Sequence, residues 1–199
     1  MSAVPRIARS LALEATLRPL AVWKMARDAC PMGDYTYPCS SRHTVGIPFS
    51  RQVNMKVLVQ RCREAQVVVA EETVGAIGHG ALLLVGIEKG DDDAVIKRMA
   101  ERVLSYRLFS DVEGKMDLDI RDVQGELLVV SQFTLAADTR KGRRPSFSAA
   151  AAPADGLLFF QQFVEMLKKE GLPVATGKFG ADMQVHLVND GPVTFMLEL

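Results

Sequence analysis

Apolar positions along the chain switch between two spacings, and the switches mark out its elements. Val-rich runs over 56–61 and 65–70, each bounded by charged residues, favour strands, because branched side chains pack well on a pleated surface. A third run, 81–87, follows Gly75, Gly78 and Gly80. Their G-x-x-G-x-G spacing is not the dinucleotide-binding pattern and no helix opens after it, so it predicts a hairpin turn and not a phosphate cradle. Asp91-Asp92-Asp93 then opens a helix that runs to about Tyr106, with acids at the positive end of the helix dipole and Val95, Met99, Val103 and Tyr106 on its apolar stripe. The Asp triplet reads as a solvated helix start in preference to a metal site.

Residues 111–122 form a polar connection around Gly114, and 126–132 return as a strand. Residues 136–148 are a loop carrying Arg140, Lys141, Arg143 and Arg144. A second helix over 154–170 starts after Pro153 and stops at Gly171 ahead of Pro173, with Phe159, Phe160, Phe163, Val164 and Leu167 on its buried face. Strands over 183–188 and 193–197 close the chain, joined by a turn. This order predicts an α+β fold with a mostly antiparallel, barrel-like curved sheet and two helices.

Composition separates the first 54 residues from the rest. They hold Pro5, Pro19, Pro31, Pro38 and Pro48, the single Trp (Trp23) and two of the three Cys, with little periodicity beyond a short amphipathic helix conceivable over 8–27. They read as a poorly ordered N-terminal extension, and Met55 as the usual start of a domain spanning 55–199. Glu14 and Asp28 weaken a transit-peptide reading, and no apolar core follows a charged start as a secretory signal requires. No apolar run approaches the roughly 20 residues that span a bilayer. With 48% apolar and 24% charged residues, the chain has the make-up of a soluble globular protein. Cys30, Cys39 and Cys62 make no disulfide framework and suit a reducing cytoplasm, with Cys62 read as a small buried apolar residue. Zero net charge argues against broad nucleic-acid affinity built on a basic surface.

Two segments concentrate polar groups where strands end: Ser131-Gln132-Phe133-Thr134-Leu135 and Asn189-Asp190-Gly191-Pro192-Val193-Thr194. Between them they contain one ionisable side chain, Asp190. The chain has no G-x-S-x-G elbow, H-E-x-x-H, P-loop or zinc-finger spacing, and His43, His79 and His186 lie far apart in sequence. Thr134 as a nucleophile would need an adjacent base, and none is visible. Backbone N–H groups freed at a strand end can stabilise an oxyanion, an effect worth about 3–4 kcal/mol per well-placed donor. A local strand cap with Thr134 bonding to its neighbours is the plainer reading of an isolated SQFT.

The two segments resemble the signature of the D-aminoacyl-tRNA deacylase (D-tyrosyl-tRNA deacylase) family, whose members carry an SQ-x-x-x strand end and an N-x-GP-x-T turn. The likeness runs from Met55 to Leu199 and takes in Lys56-Val57-Leu58-Val59-Gln60-Arg61, Tyr106-Arg107-Leu108-Phe109-Ser110-Asp111, Gly114-Lys115-Met116 and Arg144-Pro145-Ser146-Phe147. The resemblance implies a cytoplasmic hydrolase that needs no metal or organic cofactor. It would cleave the ester of D-aminoacyl-tRNA, and of glycine mischarged on tRNA(Ala), recognising the 3′-terminal adenosine and the D-amino acid. It implies a site shaped by Ser131, Gln132, Phe133 and Thr134, in which backbone groups and the 2′-hydroxyl of the terminal adenosine do the chemistry. Phe179 and Met183 match positions lining the pocket, Asn189 and Thr194 frame the turn, and Arg61 matches an arginine that positions it. Gly191-Pro192 would form a cis pair that enters the pocket of the other subunit of a homodimer and excludes L side chains. A non-catalytic dimeric RNA-binding protein is the alternative; near-neutral charge and the lack of an RNP-type aromatic strand count against it.

Overall fold

The computed structural model describes residues 55–140 and 142–199. The expectations for residues 1–54 lie outside the described residues, as does Lys141. The two Val-rich runs join into one 14-residue strand, β1 (Lys56–Val69), followed by β2 (Glu72–Ile77) and β3 (Gly80–Gly86). The turn between β1 and β2 is Ala70-Glu71, with φ of 48° and 68°. This corrects the hairpin expected at the glycines: two successive positive φ values make the two-residue turn whose twist matches a hairpin. The glycines serve close approach instead. A Cβ on Gly80 would lie 1.9 Å from the Glu126 carbonyl oxygen, and one on Gly75 2.5 Å from that of Thr176.

Helix α1 (Asp93–Leu104) is capped by Asp92, whose carboxylate accepts from the Val95 N–H at 2.9 Å. It stops short of Tyr106, whose ring packs edge-on against Phe195 with centroids 5.4 Å apart. The polar connection contains a small hairpin, β4 (Phe109–Ser110) with β5 (Met116–Leu118). Next come β6 (Glu126–Ser131), α2 (Pro153–Lys169), β7 (Val174–Thr176) and β8 (Gln184–Glu198). β8 corrects the expectation of two strands joined by a turn, since one strand carries the whole Asn189–Thr194 motif.

β1 organises the sheet. It pairs antiparallel with β2, β3 and β8, while β6 runs parallel to β3 and β7 parallel to β6. With β2 brought against β7 at Gly75, the mixed sheet curls into a nearly closed barrel. Alternation along the strands splits the core. Leu83, Val85, Leu127 and Val129 face the helices, meeting Ile96, Met99, Phe163 and Leu167, while Leu82, Leu128 and Val130 face inward with Cys62, Ala65, Val67 and Ile77. Burial pushes the Cys62 thiol up to about 11, which keeps it an inert core residue. Among the described residues no helix is long and apolar enough to cross a membrane.

The Asp triplet is only partly a solvated helix start. Asp91 is 6% exposed, with Oδ2 accepting from the Glu88 N–H at 2.8 Å and Oδ1 without a hydrogen-bond partner among the described residues. Burial raises its pKa from 3.8 to about 6, opposed by the Glu88 amide and reinforced by the Glu88 carboxylate. An acid whose folded pKa lies above its unfolded value binds its proton more tightly in the native state. Its contribution is therefore fully present below about pH 4 and is lost as pH rises through about 6. Asp91→Asn cannot titrate, so between pH 3.5 and 7.5 the stability difference between variant and parent should move in the variant's favour by about 3 kcal/mol. Urea denaturation at the two pH values measures that shift, and a constant difference would contradict it.

Candidate active site

The first polar segment leaves the sheet where β6 ends. Ser131 pairs with Val85, the Gln132 N–H donates to the Val85 carbonyl at 2.7 Å, and the chain then rolls into a 3-10 turn over Phe133–Ala136. Gly86 permits this fold-over: a Cβ there would lie 2.8 Å from that of Leu135 and 3.2 Å from the Gln132 carbonyl. The N–H groups of Phe133 and Thr134 precede the first bond of the turn, Leu135 N–H to the Gln132 carbonyl at 3.1 Å. Neither has an acceptor among the described residues. The Gln132 amide donates to the Thr134 hydroxyl, so the local-cap reading of Thr134 also holds.

Ser131, Gln132 and Phe133 form one wall of a cavity of about 470 Å³, within the range of small-ligand sites. Phe179 and Met183 also line it. Phe179 rests against the start of α2, 3.6 Å from where a Gly156 Cβ would stand, with its ring 6.0 Å from that of Phe160. Met183 is admitted by Gly177, whose Cβ would lie 2.8 Å from the sulfur. Among the described residues the lining contains no Asp, Glu, His, Lys, Arg, Cys or Tyr. His79 packs against Phe109 and His186 sits in β8 opposite Gln66, both outside the cavity lining, so neither is placed to act as a base there. Among the described residues no group of His, Cys, Asp and Glu is placed to hold a metal. The cavity wall also includes residues 150–153, Gly180 and Ala181, small residues whose sequence carries no chemical signal of its own.

The second polar segment is a bulge. Gln60 pairs with Thr194 and Cys62 with Asn189, so Arg61 alone stands opposite residues 190–193 of β8. The surplus chain is pushed out of the ladder, and Gly191 and Pro192, joined by a cis peptide, are exposed at its crest. Its base is held from both sides. The Asn189 side chain accepts from the Val193 N–H at 2.8 Å and donates to the Thr194 hydroxyl at 3.0 Å, which also receives Gln60 Nε2 at 3.3 Å. Arg61 Nε donates to the Asp190 carbonyl at 2.9 Å, and a terminal nitrogen donates to the Leu108 carbonyl at 2.7 Å. The Asp190 carboxylate meets Arg63 at 3.0 Å. Gly191 is required by conformation, with φ of 143° and a would-be Cβ only 2.6 Å from Val193 Cγ2. Within one chain this bulge forms no part of the cavity lining.

A family model described as D-Tyr-tRNA(Tyr) deacylase matches residues 58–198. The chain belongs to this family. A D-aminoacyl-tRNA deacylase from Alcanivorax borkumensis is 61% identical over 145 residues, covering 73% of this chain and 100% of the relative. One from Idiomarina loihiensis is 59% identical over 142 residues, covering 71% and 98%. Among solved structures, the c-Myc DNA Unwinding Element Binding Protein is 41% identical with a TM-score of 0.69, covering 72% of this chain and 98% of that one. A probable eukaryotic D-amino acid tRNA deacylase shares the fold at 15% identity, with a TM-score of 0.65 and 73% and 100% coverage.

The bulge of this family member should lose rigidity when its bracket is cut. Asn189→Ala strands the Val193 N–H and removes the Thr194 contact. It should lower unfolding free energy by about 1–2 kcal/mol, read from urea denaturation, and a change within experimental scatter would show that the bracket does not hold the bulge.

Proposed function

We propose that the protein hydrolyses the ester bond of D-aminoacyl-tRNA to free D-amino acid and tRNA, a chiral-proofreading reaction in the cytoplasm, and accepts glycine mischarged on tRNA(Ala). The observation carrying this reading is a cavity walled by the family's SQ-x-x-x strand end and devoid of ionisable side chains. In such a cavity the ester carbonyl can face the unpaired N–H groups of Phe133 and Thr134, which stabilise the oxyanion formed when water adds to the carbonyl carbon. The bond to the ribose 3′-oxygen then breaks, that oxygen takes up a proton, and the amino acid leaves as a carboxylate. With no protein base in the lining among the described residues, the neighbouring 2′-hydroxyl of the terminal adenosine is the group at hand to orient the water and relay its proton to the departing 3′-oxygen. Ser131, Gln132 and Phe133 shape the wall, the Thr134 hydroxyl lies outside the lining and receives the Gln132 amide, and Phe179 and Met183 hold the adenosine and aminoacyl groups in place.

Selection falls to the bulge. Gly191-Pro192 projects from its own chain and is absent from its own cavity, which fits delivery into the cavity of a second copy. A wall of backbone on one side of the α-carbon rejects an L side chain by exclusion and admits a D side chain or glycine. The working unit is accordingly a homodimer, with Arg61, Asn189 and Thr194 holding the wall in register.

Purified protein should remove label from D-Tyr-tRNA and leave L-Tyr-tRNA intact; equal loss of both would point to an unspecific esterase. Binding of tRNA without hydrolysis would favour the non-catalytic RNA-binding alternative. Thr134→Ala should retain activity within about tenfold, whereas a terminal 2′-deoxyadenosine should slow the reaction by about 10² or more, the scale of a lost proton-transfer group. Complete loss in a folded Thr134→Ala variant would overturn substrate assistance.

A further inference from the structure

An aromatic pair stands at the edge of the cavity, and its rings have no part in the chemistry above. The rings of Phe133 and Phe147 are 5.1 Å apart and inclined at 59°, and the residues are 60% and 40% exposed. Phe133 belongs to the cavity wall, and Phe147 follows a loop closed by reciprocal hydrogen bonds between Asp138 and Ser146 at 2.8 and 3.0 Å. That loop carries Arg140, Arg143 and Arg144, all exposed. Asp138 engages the Arg140 guanidinium through two hydrogen bonds, at 2.9 and 2.8 Å, while Arg143 and Arg144 have no acidic partner among the described residues. Residues 55–199 contain 21 Asp and Glu against 17 Lys and Arg, so this loop is a local cationic feature on an acidic domain.

Exposed aromatic faces beside unpaired guanidinium groups are what a single-stranded nucleic acid binds. Bases stack on the rings, and the arginines neutralise phosphates. We propose that Phe133 and Phe147, with Arg143 and Arg144, form a docking surface for the single-stranded nucleotides immediately 5′ of the esterified adenosine. This rests on the deacylase reading and extends it. The terminal adenosine and its ester occupy the cavity, Phe133 is shared between cavity and platform, and the strand leaves over Phe147 toward the basic loop. The surface reads no base edge, since rings and guanidinium groups recognise π-faces and phosphates, so it serves tRNAs of many identities.

The test uses a short RNA hairpin ending in the single-stranded tRNA 3′ terminus for binding, and D-Tyr-tRNA and the D-tyrosyl ester of adenosine for kinetics. Phe147→Ala should weaken hairpin binding about tenfold, the scale of one lost stack. The ratio of kcat/KM for the tRNA to that for the adenosine ester should fall similarly, with Phe147→Trp restoring both. The double variant Arg143→Gln, Arg144→Gln should flatten the salt dependence of binding. Unchanged hairpin affinity and an unchanged ratio in Phe147→Ala would overturn the proposal, as would a shift to monomer on size exclusion with both values intact, which would give the surface to a second copy. Loss of hairpin binding in Phe147→Ala when the parent cleaves neither ester would sustain the platform and remove the deacylase reading.

Discussion

The ladder between β1 and β8, and its interruption at Arg61, is the constraint on which the rest depends. Where one residue of β1 faces residues 190–193 of β8, surplus backbone loses its ladder partners and needs others. Arg61 supplies them from beneath. Its side chain is only 11% exposed, and its fixed donor fork is shared between the Asp190 and Leu108 carbonyls. A nearly buried guanidinium without such acceptors would be costly, so charge and bulge stabilise each other. The same arrangement ties the bulge to the segment leading into β4, which couples the crest to the body of the barrel.

The cavity obeys the opposite logic. It is built from strand ends and small residues, with Gly86 and Gly177 allowing the SQFTL turn and Met183 to close in. Among the described residues its lining has no titratable group. What remains is geometry: unpaired amides at the end of β6 and a shaped apolar wall. In the proposed reaction such a site would stabilise developing charge through fixed dipoles, which need no reorganisation. The bulge crest and the cavity are thus opposite in shape, one projecting and one concave, and are carried at different places on the same chain.

Much of this was legible in the sequence, and the misses have specific causes. Helix α2 was visible because Pro153, the Phe-rich stripe and Gly171 all point the same way. The α1 start was visible in its acids, but the sign of burial at Asp91 was not, since neighbouring aspartates have identical side chains and only packing separates Asp91 from the capping Asp92. β2 was missed because its sequence, Glu72–Ile77, alternates weakly and contains a glycine. The turn was placed at the glycines because Ala70-Glu71 has no turn composition. Positive φ at both residues is imposed by the pairing of the strands they join.

Sequence alone determined the two polar segments, the lack of a conventional catalytic group between them, the α+β order and the resemblance that named the family. These follow from residue identity and local spacing, which need no neighbours to be read. Tertiary structure decided that Asn189–Thr194 is a bulge within one strand and that Arg61, more than a hundred residues away, holds it. It also decided that an Ala-rich run lines the cavity and that Phe133 meets Phe147. Each of these depends on which strands pair and in what register, and pairing is set by long-range burial of alternating faces, a quantity that no short stretch of sequence contains.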